Sequence, residues 1–301
     1  MRTLIKDVAK NLGKEVEING FVQVIRDQGS IKFLIIRDIS GIIQVVITKD
    51  KKDALETVSR LSHESVVKII GLAKEEKQAP GGFEIAAETI TILSLADPEL
   101  PIPVVEKGEQ EETDQSIRLD WRWIDLRKPK NTLIFKVWTV MEQAFREYLL
   151  KQDYIEIHSP KLIATPSESG SEVFEVKYFE RKAYLAQSPQ FYKQMAMAAG
   201  FEKVFEIGPV FRAEPSFTSR HATEFTGYDM EISYIESHYD VMAEEEHIIH
   251  YAMQKVKDAY GQEILKLFER DIPVPTMPFP RVSMEKAKEI LARMKVPSEK
   301  E

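Results

Sequence analysis

The sequence predicts an α+β protein in two parts: a small OB-type β-barrel over residues 1–104, then an antiparallel sheet with helices over residues 131–301. Three observations lead there. Residues 14–93 read as short strands punctuated by turns, with one short helix between the third and fourth strands. Residues 97–114 combine prolines with dense charge, the composition of a linker. Beyond residue 131 the apolar pattern changes from alternation to helical spacing, with strands between the helices.

The barrel elements follow from local pattern. Glu15 to Val22 alternates polar and apolar residues, as a half-buried strand does. Lys32 to Arg37 and Ile42 to Ile47 are apolar and rich in β-branched residues. The turn-forming Asp38-Ile39-Ser40-Gly41 between them makes the pair a hairpin. Asp53 to Leu61 suits a short helix. Val66 to Leu72 and Phe83 to Leu93 supply two more strands, separated by the turn Pro80-Gly81-Gly82. This order is that of an OB-type barrel, a scaffold that binds single-stranded nucleic acid on aromatic platforms.

In the second part, Thr132 to Leu150 carries Ile134, Val137, Trp138, Met141, Phe145 and Leu149 at helical spacing. Tyr154 to Ile157 reads as a strand stopped by Pro160, and Gln190 to Ala199 as a helix. Val204 to Arg212 and Glu224 to Ile235 read as longer strands joined by a polar loop. Tyr239 to Tyr260 is a helix, and a proline-rich stretch precedes a last helix from Ser283 to Met294. Residues 105–130 are expected to be a linker and hinge.

Composition narrows the function classes. The chain has no cysteine, which excludes disulfides and thiolate metal sites and suits a reducing cytoplasm. No stretch is long and apolar enough for a membrane span, and Met1 to Lys10 lacks the apolar centre of a signal peptide. The net charge is −8, yet residues 1–105 carry 14 basic against 15 acidic residues. Any nucleic-acid contact must therefore be local and cannot rest on a global basic field.

The chemistry is concentrated in Phe211-Arg212-Ala213-Glu214, a loop, then Arg220-His221-Ala222-Thr223-Glu224-Phe225. An arginine at a strand end can grip a phosphate with its planar fork. A glutamate two residues on points the same way and can accept from an amine. A loop with Arg and His can fold over further phosphates, and a returning aromatic can stack on a base. Taken alone, Arg-x-Glu is more often the mark of a surface hairpin with solvated charges, and the neighbouring motifs overturn that reading.

The segment resembles motif 2 of the class II aminoacyl-tRNA synthetases, in its aspartyl form. The resemblance implies that Arg212 is the catalytic cation, binding the α-phosphate of ATP and the reacting carboxylate. It implies that Glu214 meets the adenine amine, that Arg220 and His221 approach the outer phosphates, and that Phe225 stacks on adenine; Ala213 and Ala222 complete the ATP-binding stretches. Attack of a carboxylate on phosphorus is catalysed mainly by positioning and charge neutralisation, so arginine matters more than a general base. Upstream, Tyr154-Ile155-Glu156-Ile157-His158-Ser159-Pro160-Lys161-Leu162 resembles motif 1, which with the preceding helix implies a homodimer interface.

Further resemblances concern the substrates. Ile163 to Gly170 is similar to the family's mobile loop, in which Glu168 would meet the α-ammonium group. Ala186-Gln187-Ser188-Pro189-Gln190-Phe191-Tyr192-Lys193-Gln194 is similar to the aspartyl segment, placing Gln190, Phe191, Tyr192 and Lys193 along the L-aspartate pocket with Arg212 and Asp229. A lysine ammonium is the right partner for a side-chain carboxylate and the wrong one for an amide. On the barrel, the resemblance implies that Arg26, Phe33 and Gln44 read the anticodon, Phe33 by stacking and Gln44 at a base edge. Gln23 and Pro80 correspond to positions that separate enzymes charging only tRNA(Asp) from those also charging tRNA(Asn), and Pro80 resembles the relaxed group. Ile117 to Arg127 is similar to the hinge of this subclass.

Class II cores end in motif 3, whose arginine grips the γ-phosphate, preceded by an acidic segment that holds Mg²⁺. Nothing in the sequence matches either, so the antiparallel core is expected to be incomplete at its C-terminus and the chain to be a fragment, weak or inactive alone, with no metal ligands of its own. The expected function is an aspartate–tRNA ligase using ATP, with an asparaginyl-type ligase or a non-catalytic tRNA-binding fragment as alternatives.

Overall fold

The computed structural model describes residues 2–29, 31–105, 113–167, 172–214 and 221–294. The chain divides into two compact units, Met1–Lys128 and Pro129–Glu301.

The first unit opens with a short helix, α1 (Ile5–Val8), whose Ile5 and Val8 are buried against the barrel core. Then come β1 (Glu15–Asp27), β2 (Ile31–Asp38), β3 (Gly41–Thr48), α2 (Lys52–Ser59), β4 (Val66–Glu75) and β5 (Phe83–Ser94). They close into a barrel in the order β1-β2-β3-β5-β4, with β3 and β5 parallel and the other neighbours antiparallel. Alternation places Ile18, Leu34, Ile36, Ile43, Ile47, Ile69 and Ile85 inside, all fully buried. Each such side chain contributes about 1.5–3 kcal/mol through removal of apolar surface from water. The strands bend so tightly that Gly71 has no room for a side chain: a Cβ would lie 2.2 Å from the Ala86 carbonyl oxygen.

A charged network sits on this barrel. Glu64 is buried and accepts two hydrogen bonds from Arg37, at 3.0 and 2.8 Å, and one from Arg127 Nη1 at 3.0 Å. Both guanidinium groups lie over the Phe21 ring. The proline-rich stretch is docked rather than free: Ile102 and Val104 are buried with Ile124. Apolar residues between the prolines outweigh the linker composition. Two short helices follow, α3 (Gln115–Asp120), capped by the Asp114 side chain, and α4 (Arg122–Asp125). The acidic run 106–112 lies outside the described residues.

The second unit starts with α5 (Pro129–Lys151), where proline suits the first helical turn. Short strands follow: β6 (Ile155–Glu156), β7 (Leu162–Ile163), β8 (Glu175–Tyr178) and β9 (Arg181–Leu185). Next are α6 (Gln190–Ala198), β10 (Lys203–Phe211), β11 (Glu224–Ile232), α7 (His238–Phe268) and α8 (Met284–Arg293). One sheet has the order β11-β10-β6, antiparallel then parallel, and a second has the order β7-β9-β8. Helix α7 begins on a capping box between Ser237 and Asp240 and runs beyond the expected Tyr260. Gly261 costs a helix interior only about 1 kcal/mol and does not end it.

Period-two alternation gives the β10–β11 pair two different faces. Phe205, Ile207 and Met230 face back and pack with Phe145, Leu149, Tyr154, Ile248 and Ile249 from α5, α7 and the turn before β6. The other face carries Glu206, Arg212, Phe225, Asp229 and Glu231.

Candidate functional site

The site face is laid out by strand register. Glu206 is paired directly with Asp229, Gly208 with Gly227, and Val210 with Phe225. Beyond the last pair, the Arg212 N–H donates to the Thr223 carbonyl at 2.9 Å, which carries Arg212 onto the same face. Its guanidinium lies 5.7 Å from the centre of the Phe225 ring, and its Nε is buried without a partner among the described residues. Phe225 itself is exposed. Glu214, two residues on, is half-buried, while His221 and Ala222 are exposed. Arg220 and Glu168 lie outside the described residues.

At the other end of the face is a buried ammonium group. Lys193, on α6, is 3% exposed. Its Nζ donates to Asp229 Oδ1 at 3.0 Å and to the Met230 carbonyl at 3.2 Å, and lies 3.1 Å from Glu231 Oε2. Gln190 Nε2 donates to the same Glu231 oxygen at 3.4 Å. A lysine is so deeply buried only when paired. Helix periodicity puts Gln190 and Lys193 on one side of α6, three residues apart. The structure thus brings Gln190, Lys193 and Asp229 together, and Arg212 with Phe225. It does not bring Phe191 and Tyr192 to the lysine. They line a separate open groove of about 500 Å³ with Ile163, Thr165 and Met195.

Sequence reasoning passed over three acidic or amide groups. Glu231 stands two residues after Asp229, so period-two alternation alone puts it on the same face. Glu206 required the cross-strand register. Gln187 is fully buried, its Oε1 accepting from the Ser167 N–H at 3.2 Å, and its place before Ser188-Pro189 marked it only as part of a motif.

Between the two ends, Gly208 and Gly227 face each other and leave a trough without side chains. From Phe225 to Asp229 is four residues, roughly 13 Å of extended strand. Behind the sheet, burial, reinforced by the negative charge of Glu244, pushes the Tyr148 hydroxyl up to about 12 and raises that of Tyr154. Among the described residues, no cluster of three or more His, Asp or Glu is arranged to hold a metal ion.

On the barrel, Arg26 is paired with Phe33 across β1 and β2, and Phe33 with Val46 across β2 and β3. Gln44, two residues from Val46, therefore shares their outward face. Its Nε2 donates to Glu84 Oε2 at 2.7 Å, and Glu84 in turn pairs with Lys74 at 2.9 Å, which fixes the carboxamide. Arg26 is exposed and Phe33 half-buried. Gln23 sits at a register break between Val22 and Val24, and Pro80 opens an exposed turn, Pro80–Gly82.

Residues 114–301 match the family described as tRNA synthetases class II (D, K and N), and residues 16–93 match the OB-fold nucleic acid binding domain. An aspartate–tRNA(Asp/Asn) ligase of Methanopyrus kandleri is 43% identical over 93% of this chain, which covers 64% of that relative. An aspartate–tRNA(Asp) ligase of Pyrococcus horikoshii is 42% identical, with the same coverage of 93% and 64%. Among solved structures, asparaginyl-tRNA synthetase from Pyrococcus horikoshii complexed with asparaginyl-adenylate superposes with a TM-score of 0.88 at 33% identity, over 99% of this chain and 68% of that one. The aspartyl-tRNA synthetase of Entamoeba histolytica gives 0.79 at 30% identity, over 99% and 64%. The chain thus spans about two thirds of the length of its relatives, and it belongs to the class II tRNA synthetases of the D, K and N group, with an OB-fold nucleic acid binding domain preceding the catalytic-type unit.

Proposed function

We propose that the chain carries the amino-acid and adenylate site of an aspartate–tRNA ligase. In this reading, an L-aspartate carboxylate attacks the α-phosphorus of ATP and expels pyrophosphate. The tRNA 3′-terminal hydroxyl then attacks the aspartyl carbonyl, and AMP leaves. One observation carries the choice of amino acid: the buried Lys193 ammonium, held by Asp229 and Glu231 on the face that also bears Arg212. A buried cation rewards a ligand with a side-chain carboxylate and penalises an amide. The asparaginyl structural neighbour shares the overall fold, so the reading rests on this side chain and not on the fold.

The roles divide along the trough. Phe225 and Glu214 take the adenine, and Arg212 neutralises the α-phosphate and the attacking carboxylate. Gln190, Lys193 and Asp229 take the amino acid, Lys193 at its side chain and Asp229 at its ammonium. The roughly 13 Å from Phe225 to Asp229 suits an aminoacyl-adenylate laid along the strands. The family resemblance adds Glu168 at the ammonium and Arg220 and His221 at the outer phosphates. Mg²⁺ belongs to the reading as a partner of ATP. Among the described residues, no group of three or more His, Asp or Glu is placed to hold it.

For the barrel, the reading is tRNA anticodon binding through Arg26, Phe33 and Gln44. Pro80, with the Asp/Asn name of the Methanopyrus relative, supports a site that accepts tRNA(Asn) as well as tRNA(Asp), tuned by Gln23 and Pro80. Homodimerisation is supported by the exposed aromatic edge of α5, where Phe135 and Trp138 pack ring to ring and Trp138 is 56% exposed. A cytoplasmic setting suits such an enzyme, and no described helix is long and apolar enough to cross a membrane. ATP–pyrophosphate exchange tests the reading. Exchange that depends on L-aspartate and disappears in Arg212→Ala supports it. Exchange driven by L-asparagine instead, or surviving Arg212→Ala, contradicts it.

A further inference from the structure

Lys161 has no role in the reading above, yet it reaches the middle of the site face. It follows the end of β6, along the edge of β10, and its side chain crosses that strand at Gly208. A Cβ on Gly208 would lie 3.5 Å from both Cε and Nζ of Lys161. The absence of a side chain there is what lets the ammonium group lie over the trough.

Buried Glu206 holds it in place. Glu206 is 3% exposed; its Oε1 accepts from Lys161 Nζ at 2.5 Å and from the Ser159 N–H at 3.2 Å, and its Oε2 accepts from the Ser159 hydroxyl at 2.6 Å. Lys161 Nζ also donates to Ser159 Oγ at 3.1 Å. An ammonium group has three N–H donors. Two are used, the third has no partner among the described residues, and the side chain is 24% exposed. Lys193, by contrast, is 3% exposed and donates to Asp229 and Met230.

The position along the trough identifies what Lys161 would meet. Gly208 lies one strand repeat from Glu206 and Asp229, at the amino-acid end, and one from Val210 and Phe225, at the adenine end. The part of an aminoacyl-adenylate between those ends is its acyl–phosphate junction, which carries the negative charge. We propose that Lys161, fixed by Glu206, is a further binding residue of this site that contacts the anionic acyl–phosphate junction of the ligand alongside Arg212. The proposal rests on the adenylate-site reading and adds a second cation to its centre. It also gives Glu206 a purpose: without that carboxylate the lysine would swing into solvent.

Calorimetric titration of the whole chain with the sulfamoyl analogue of aspartyl-adenylate, whose linker is anionic, tests it against adenosine, which has no anion. Lys161→Met should weaken the analogue at least tenfold and leave adenosine, followed by NMR, unchanged. Glu206→Gln should lose part of the same affinity, and Lys161→Arg should keep most of it. Equal weakening of both ligands by Lys161→Met means a merely structural lysine and overturns the proposal, as does unchanged affinity for the analogue. Failure of the unaltered chain to bind the analogue at all would instead overturn the adenylate-site reading, and this inference with it.

Discussion

Replacing Glu64 with glutamine keeps the side chain's shape and removes its charge. The carboxylate accepts three charge-assisted hydrogen bonds, two from Arg37 and one from Arg127. The two arginines are not equivalent. The Arg37 side chain is 9% exposed and cannot regain water, whereas that of Arg127 is 26% exposed and can. The loss therefore falls mainly on the Arg37 pair. Breaking a buried pair by removing one partner costs about 3–5 kcal/mol. For a unit of this size each kcal/mol shifts the midpoint by roughly 3–5 °C, so the barrel transition should fall by roughly 10–20 °C. Differential scanning calorimetry of the whole chain measures this, with Arg127→Ala as the control expected to cost less than about 1 kcal/mol. A shift below about 3 °C for Glu64→Gln would refute the reasoning.

Other outcomes follow from the same physics. Gly71→Ala should prevent the barrel from closing, because its Cβ would lie 2.2 Å from a backbone oxygen that cannot move aside; loss of the barrel's circular-dichroism signal at ambient temperature checks this. Tyr148 is raised to about 12 by burial, so its neutral form is favoured in the folded state. Its contribution is complete below the unfolded value near pH 10 and is lost as pH rises toward 12; alkaline unfolding should show this, and Tyr148→Phe should flatten it. Phe33→Ala should weaken binding of an anticodon stem-loop by about 1–3 kcal/mol, the worth of one stacked base, in a filter-binding assay at fixed salt.

The barrel was legible because its strands alternate cleanly and its turns use Gly, Pro and Asp. Helix α7 runs past the glycine that reads as a stop because it packs along α5, with Lys130 of α5 over Phe268 near its end. The sheet β7-β9-β8 escaped notice. Its strands are short, and the β8–β9 turn uses Phe179 at φ 54°, where turn chemistry ordinarily calls for Gly or Asn. Tyr154 to Ile157 shrinks to a two-residue strand, since the parallel ladder with β10 covers Ile155 and Glu156 and ends on the Ile157 N–H, which donates to the Phe205 carbonyl at 2.8 Å. Within the site, residues adjacent in sequence were found by motif. Glu206 and Lys161 needed the β10–β11 register and the close passage at Gly208, which are tertiary facts. Phe191 and Tyr192 line a groove with Ile163 and Thr165, while three-residue spacing sets Gln190 and Lys193 toward the sheet.

The central claim is that Lys193 sets a preference for a ligand with a side-chain carboxylate. The direct test is a paired calorimetric titration of the chain and its Lys193→Met variant with the sulfamoyl analogues of aspartyl- and asparaginyl-adenylate. The account predicts that the unaltered chain prefers the aspartyl analogue by at least tenfold, about 1.4 kcal/mol, and that Lys193→Met abolishes or reverses the preference. Equal affinity for the two analogues in the unaltered chain, or a preference that survives in Lys193→Met, would contradict it.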